Sequence, residues 1–206
     1  VSPAIKEALM LGVGVFTLII GMGMALESQR FLYVALSLVI GGIIGTLLRV
    51  EDALYSLGES IKKSGFSHHD QFSEGFLAAS VLFCVGSMAI LGSLQAGAQG
   101  SYEILLTKSV LDGSVAIIMA AAMGIGVAFS AVPILLYQGG LTLLAGVISP
   151  LLSDLMLNEL SATGGALIIM IGIQLTGLKK IKTGDYLPAI IVAIALAAWD
   201  PLHMLF

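Results

Sequence analysis

The chain has 206 residues, of which 58% are hydrophobic and 11% charged, and its mean hydropathy is +1.05. A soluble domain carries roughly 25% charged residues, so too little polar surface is present to wrap a water-soluble globule. The net charge of −4 comes without a basic tract, which argues against nucleic-acid binding, and the single cysteine, Cys84, excludes an intrachain disulfide.

A membrane-crossing helix needs about 20 apolar residues, and seven segments meet that length. They run from about Ala8 to Leu26, Phe31 to Leu48, Gly75 to Leu94, Ile104 to Phe129, Val132 to Leu152, Leu160 to Leu178, and Leu187 to the C-terminus. The expected fold is all-α: one integral membrane domain over 1–206, a polytopic helix bundle of seven spans. No cleavable signal peptide is visible. The opening Val1-Ser2-Pro3 lacks a Met, so residues upstream are expected.

Loop charge orients the bundle. Lys6, Arg49, Lys62, Lys63, Lys179, Lys180 and Lys182 fall on one side, and only Arg30 and Lys108 fall on the other. The first side is therefore expected to be cytoplasmic, with the C-terminus outside.

The first span reads Gly14-Val15-Phe16-Thr17-Leu18-Ile19-Ile20-Gly21, and the sixth reads Gly165-Ala166-Leu167-Ile168-Ile169-Met170-Ile171-Gly172. The glycines recur at the same spacing, with an acid ahead of each segment, Glu7 or Glu159. The two segments run in opposite directions, which is the pattern of an inverted-topology repeat, an architecture common in secondary transporters. Chance matching of apolar sequence is the competing reading. In the second span, Gly41-Gly42-Ile43-Ile44-Gly45 suits close helix packing.

Between the second and third spans lies the one long connection, 51–74. Leu54, Leu57 and Ile61 recur at helical spacing among Glu51, Asp52, Glu59, Lys62 and Lys63. That pattern reads as an amphipathic cytoplasmic helix at the membrane surface, or as a solvated extension of the second span. In the loop after it, His68-His69-Asp70 has metal-ligating side chains. Adjacent histidines diverge on a helix and no fourth ligand is near, so no metal site is assigned.

The third span carries Gly86-Ser87 near its centre. Either the helix breaks there and frees backbone carbonyls for an ion, or Gly86, Ala89 and Gly92 pack tightly against a neighbour. In the fourth span Asp112 sits roughly 12 Å into a core about 30 Å thick. Lys108 lies one turn earlier on the same face. Ionisable groups at that depth are costly and default to functional candidates. The Lys-before-Asp order gains little from the helix dipole, so local helix stability does not explain the pair. It is either a buried structural pair or a proton- or cation-binding carboxylate tuned by a lysine. Gly113 and Ser114 follow directly. The fifth span holds Tyr137-Gln138-Gly139-Gly140, and Gln174 lies in the sixth. These amides either bond across helices or line a polar path. Pro133 and Pro150 bracket the fifth span.

Enzyme chemistry finds no footing. All three His lie in loops or at the terminus, and the Gly-x-Gly patterns at Gly12 and Gly124 lie inside spans, where a phosphate loop has no place. No cofactor is expected.

Four motifs carry a resemblance. They are Leu82-Phe83-Cys84-Val85-Gly86-Ser87-Met88-Ala89-Ile90-Leu91-Gly92-Ser93, then Thr107-Lys108-Ser109-Val110-Leu111-Asp112-Gly113, then Leu136-Tyr137-Gln138-Gly139, and Leu160-Ser161-Ala162-Thr163-Gly164-Gly165. In this order they resemble a bacterial membrane family catalogued as domain of unknown function 554, over almost the whole chain. The resemblance implies an inner-membrane protein of unassigned activity. It also implies a further Gly-rich span ahead of the first, making eight in the full protein, with three spans inverted against three.

The expectation is thus a small secondary transporter or ion-conducting protein for a cation or small metabolite. Asp112, Lys108, Ser87, Gly86, Ser114, Tyr137, Gln138 and Gln174 would line its path. Na⁺ or a proton and a small solute would be its partners within the lipid bilayer, and a homodimer its working form. The alternative is a non-transporting scaffold or regulator acting through 51–74.

Overall fold

The computed structural model describes residues 3–61, 72–84 and 86–200. The His68-His69-Asp70 run lies outside them, as do the side chains of Leu54, Leu57, Ile61 and Ser87. Every regular element among the described residues is helical: α1 (Pro3–Ala25), α2 (Phe31–Leu48), α3 (Val50–Ile61), α4 (Phe72–Cys84), α5 (Ser87–Gln99), α6 (Glu103–Met123), α7 (Gly126–Phe129), α8 (Ala131–Leu143), α9 (Ala145–Ile148), α10 (Asp154–Leu175) and α11 (Pro188–Trp199).

The number of spans departs from the expected seven. Among the described residues, five helices are long and apolar enough to cross a membrane: 7–25, α2, α6, α7 with α8, and α10. The bent pair α4–α5 makes six if it is one span. The last expected span falls short. Pro188 opens α11, and Asp200, in the left-handed conformation at φ 37°, closes it after 12 residues. With the turn at Thr183–Tyr186 ahead of it, the apolar helix Thr183–Trp199 is just shorter than α2, along which it runs from Asp185 beside Gly45 to Asp200 beside Tyr33. The apolar run from Leu187 to Phe206 concealed this stop, because nothing local shows that Asp200 is held by Tyr33 Oη, which donates to its carboxylate at 2.6 Å, and by Arg30 at 3.8 Å.

Other boundaries move by a turn or two. α6 ends at Met123, where Gly124 takes φ 85°, so the next span starts before Val132. α10 begins at Asp154 rather than Leu160, because Ser153 Oγ caps it by accepting from the Met156 amide at 3.3 Å.

α10 is the buried centre, with Leu167, Ile168 and Ala162 fully enclosed. Its closest neighbour is α1, and glycines on both helices permit the approach. A Cβ on Gly21 would lie 2.8 Å from Ile169 N, and one on Gly172 would lie 3.0 Å from Leu18 N. A Cβ on Gly14 would lie 2.8 Å from Thr176 N, and one on Gly165 would lie 2.5 Å from Ala25 N. α2 packs on α11 in the same way: Gly41 meets the Ala189 backbone, and Gly45 meets the Asp185 carbonyl. With no hydrophobic drive between helices in lipid, such close contact is what holds them together.

Buried carboxylates tie both ends of this block. At one end, Glu159 is fully buried and accepts from Ser28 Oγ, Gln29 N and Arg30 N, each at 2.8 Å. These bonds hold the α1–α2 turn onto α10 and satisfy amides before α2 that have no helical partner. At the other end, Glu51 N donates to Asp185 Oδ1 at 2.9 Å while Gly184 N donates to Glu51 Oε2 at 2.6 Å. This reciprocal pair locks the start of α3 to the loop ahead of α11.

Candidate functional site: two cavities about an intramembrane ion pair

α4 and α5 meet at a 60° bend. Gly86 sits there with φ 134° and ψ 149°, a conformation open essentially to glycine alone. The helix therefore breaks at Gly86, and close packing is not its main role. A break leaves the last carbonyls of α4 and the first amides of α5 without helical partners.

Across from the break, α6 presents Lys108 and Asp112. Their side chains form an ion pair one helical turn apart. Lys108 is 8% exposed and Asp112 is half-buried. A pair so far removed from water carries a desolvation cost that its mutual attraction must offset.

Two cavities adjoin this pair. The first, about 330 Å³, lies between α1, the α4–α5 break, α6 and α10. Gly86, Lys108, Asp112 and Glu27 belong to its wall, with Phe16, Phe83, Met24 and Met88 among the apolar lining. Glu27, exposed in the turn after α1, places the mouth at that end of the bundle, and Ser161 Oγ donates to its Oε2 at 2.5 Å. The second cavity, about 550 Å³, runs between α6 and α7–α8 and includes Ser109, Gly113, Ser130, Gln138 and Thr142. Phe83, Lys108 and Asp112 line both cavities.

The remaining candidates lie elsewhere. Ser114 is exposed and donates to its own helix at Val110 O, 2.8 Å away. Tyr137 is 37% exposed and lines neither cavity. Gln174 lines a third cavity, about 250 Å³, at the opposite end of the bundle with Glu51, Glu74, Lys180, Lys182 and Thr183. Burial pushes the Glu51 carboxyl above its ordinary range, with the Gly184 amide opposing and Asp185 adding to the rise. Lys182 donates to Asp52 Oδ1 at 2.8 Å, which holds the exposed Asp52 below and the exposed Lys182 above their usual values. Glu27 escaped the sequence reading because it lies in a turn beyond the apolar run, where an acid is unremarkable. Only the fold brings it beside Ser161 and over the first cavity.

A bundle of apolar helices with charge confined to its ends and to one internal pair defines a polytopic α-helical membrane protein. The chain belongs to the family described as "Protein of unknown function (DUF554)", whose model matches residues 1–198. It is similar to the "Uncharacterized membrane protein YdfK" of Bacillus subtilis, with 34% identity over 166 residues that cover 81% of this chain and 70% of the relative. It is also similar to the "Uncharacterized protein YqgA" of Escherichia coli, with 31% identity over 193 residues, 90% of this chain and 82% of the relative. No solved structure matches it.

Proposed function

We propose that the protein is a small secondary transporter or ion-conducting protein of the bacterial inner membrane, moving a cation or small metabolite. The observation that carries this reading is the Lys108–Asp112 pair, with Phe83, standing as the common wall of two cavities on either side of α6. A solute in one cavity is separated from the other by one ion pair and one ring. Exchanging either partner of the pair for a bound ion would connect them, and Asp112 is the group that binds a proton or Na⁺ in this scheme. The broken α4–α5 helix beside it offers free backbone dipoles to the same spot.

We read the glycine spacing shared by 14–21 and 165–172 as an inverted repeat, the architecture of many secondary transporters. The sequence shift that carries Gly14 onto Gly165 and Gly21 onto Gly172 also carries Leu18 onto Ile169 and Ala25 onto Thr176. The same shift lays α2 over the turn at Thr183–Tyr186 and α11. The excess of Lys and Arg beside Glu51 and Lys182 supports a cytoplasmic location for that end and an outside C-terminus. A homodimer is the working form we assign.

The test is flux. Purified protein in liposomes should carry Na⁺ or H⁺, and Asp112→Asn should abolish it. Undiminished flux in that variant would remove the pair from the mechanism. The second reading, a scaffold or regulator acting through 51–74, has the exposed Tyr55 on the anchored α3 behind it. Loss of a bound partner on deleting 64–70, with no flux in the intact protein, would favour it.

A further inference from the structure

The first cavity limits the kind of guest it can hold. Three ionisable side chains line it: Glu27, Lys108 and Asp112. Lys108 and Asp112 neutralise each other, so Glu27 leaves the cavity with one net negative charge. A guest is therefore favoured if it is cationic.

The rest of the wall is carbon. Phe16, Met24, Leu82, Phe83 and Met88 are among the apolar side chains around it. The volume of about 330 Å³ is some tenfold larger than the share of one water, about 30 Å³, and falls in the range of small-molecule sites. A bare Na⁺ would leave most of that apolar surface unfilled, and water fills apolar cavities poorly. Aromatic faces and thioethers suit a cation that brings an apolar body of its own, since a ring attracts an ammonium within about 6 Å.

Building on the transport reading, we propose that this cavity takes a small organic ammonium ion with an apolar body. Its charged head sits at Glu27 in the mouth, and its body lies against Phe16, Phe83 and Met88. Ser161, donating to Glu27 Oε2, fixes the carboxylate that receives the head.

The experiment is calorimetric titration of the detergent-solubilised full chain with phenethylammonium chloride, in parallel with neutral 2-phenylethanol and with NaCl. The ammonium ion should bind at least tenfold more tightly than the alcohol. Glu27→Gln, which keeps an oxygen for Ser161, should weaken the ammonium at least tenfold and leave the alcohol unchanged. Met88→Trp, which fills the cavity without touching its charges, should abolish binding of both. Equal binding of alcohol and ammonium, indifference to Glu27→Gln, or displacement of the ammonium by equimolar NaCl would overturn the proposal. Liposome flux separates the two readings. Flux sensitive to Asp112→Asn without ammonium binding would sink the guest and spare transport. Ammonium binding that responds to both variants without any flux would sink transport and spare the guest.

Discussion

The block made by α1, α2, α10 and α11 and the group made by α4, α5, α6 and α8 are built differently from similarly apolar sequence. Glycines bring backbones into contact in both, at Gly165 and Gly45 in the first and at Gly97 and Gly126 in the second, but only in the first do buried carboxylates fasten the turns at both ends. In the second, a helix is broken, α6 and α8 are mostly exposed, and two cavities sit around an ion pair. Close-packed helices resist rearrangement because an added atom has nowhere to go. Helices with voids and a break between them can shift at lower cost. The comparison assigns the first block the role of frame and the second that of moving part.

Substitutions should divide along the same line. The largest effect is expected at Gly45 and Gly165, where a side chain would enter the backbone of α11's leading loop or of α1. Gly165→Leu should cost about 3 kcal/mol or more of stability, or prevent folding. Gly113→Ala in the second block meets nothing within 4 Å and should instead gain about 0.5–1 kcal/mol. Detergent unfolding monitored by circular dichroism measures both, and similar losses at the two sites would dissolve the distinction.

Next comes Glu159. Replacing it by Leu strands the Gln29 amide, leaves the Arg30 amide only Ser28 Oγ, and should cost about 1–3 kcal/mol in the same assay. The ion pair follows. Asp112→Asn leaves the Lys108 charge largely buried and should cost about 1–3 kcal/mol. The double variant Lys108→Met with Asp112→Leu should return to within about 1 kcal/mol of the parent while flux stays absent. Restored flux would make the pair structural only.

The smallest effect is the pH response at the anchored end of the frame. Glu51 holds its proton more tightly in the folded state, so its contribution disfavours the fold above its raised pKa. That penalty fades as pH falls through that value towards 4.5. Asp52 has the opposite sign: its contribution is present above 3.8 and is lost as pH falls through its lowered value. Lys182 stabilises below 10.5 and loses its share as pH rises through its raised value. Melting temperature measured from pH 7 down to 5 should therefore rise slightly, and Glu51→Gln should flatten that rise.

Part of the frame was legible in advance. The glycines of 41–45 read as packing positions and do meet the 185–189 backbone, whereas those of 14–21 and 165–172 read as a repeat and give no notice that their helices meet. Lys108 and Asp112 stood out because charge at depth is rare. Long-range carboxylate contacts were not legible: Glu159 and Glu27 act across more than a hundred residues, and no local pattern announces such a partner. Asp200 hid the early end of α11 for the same reason. Gln174 had apolar neighbours suited to a buried path, but it lies in the last turn of α10, which ends beside Met123 at the far cavity. Local periodicity places a residue along its helix and leaves open which void it faces.

The central claim is that a solute route passes Phe83 and the Lys108–Asp112 pair. It is tested most directly by Phe83→Cys in a Cys84→Ser background, labelled with a membrane-impermeant cationic thiol reagent. Labelling should occur from outside in spheroplasts and from the cytoplasmic side in inverted vesicles. Protection from either side would contradict the route.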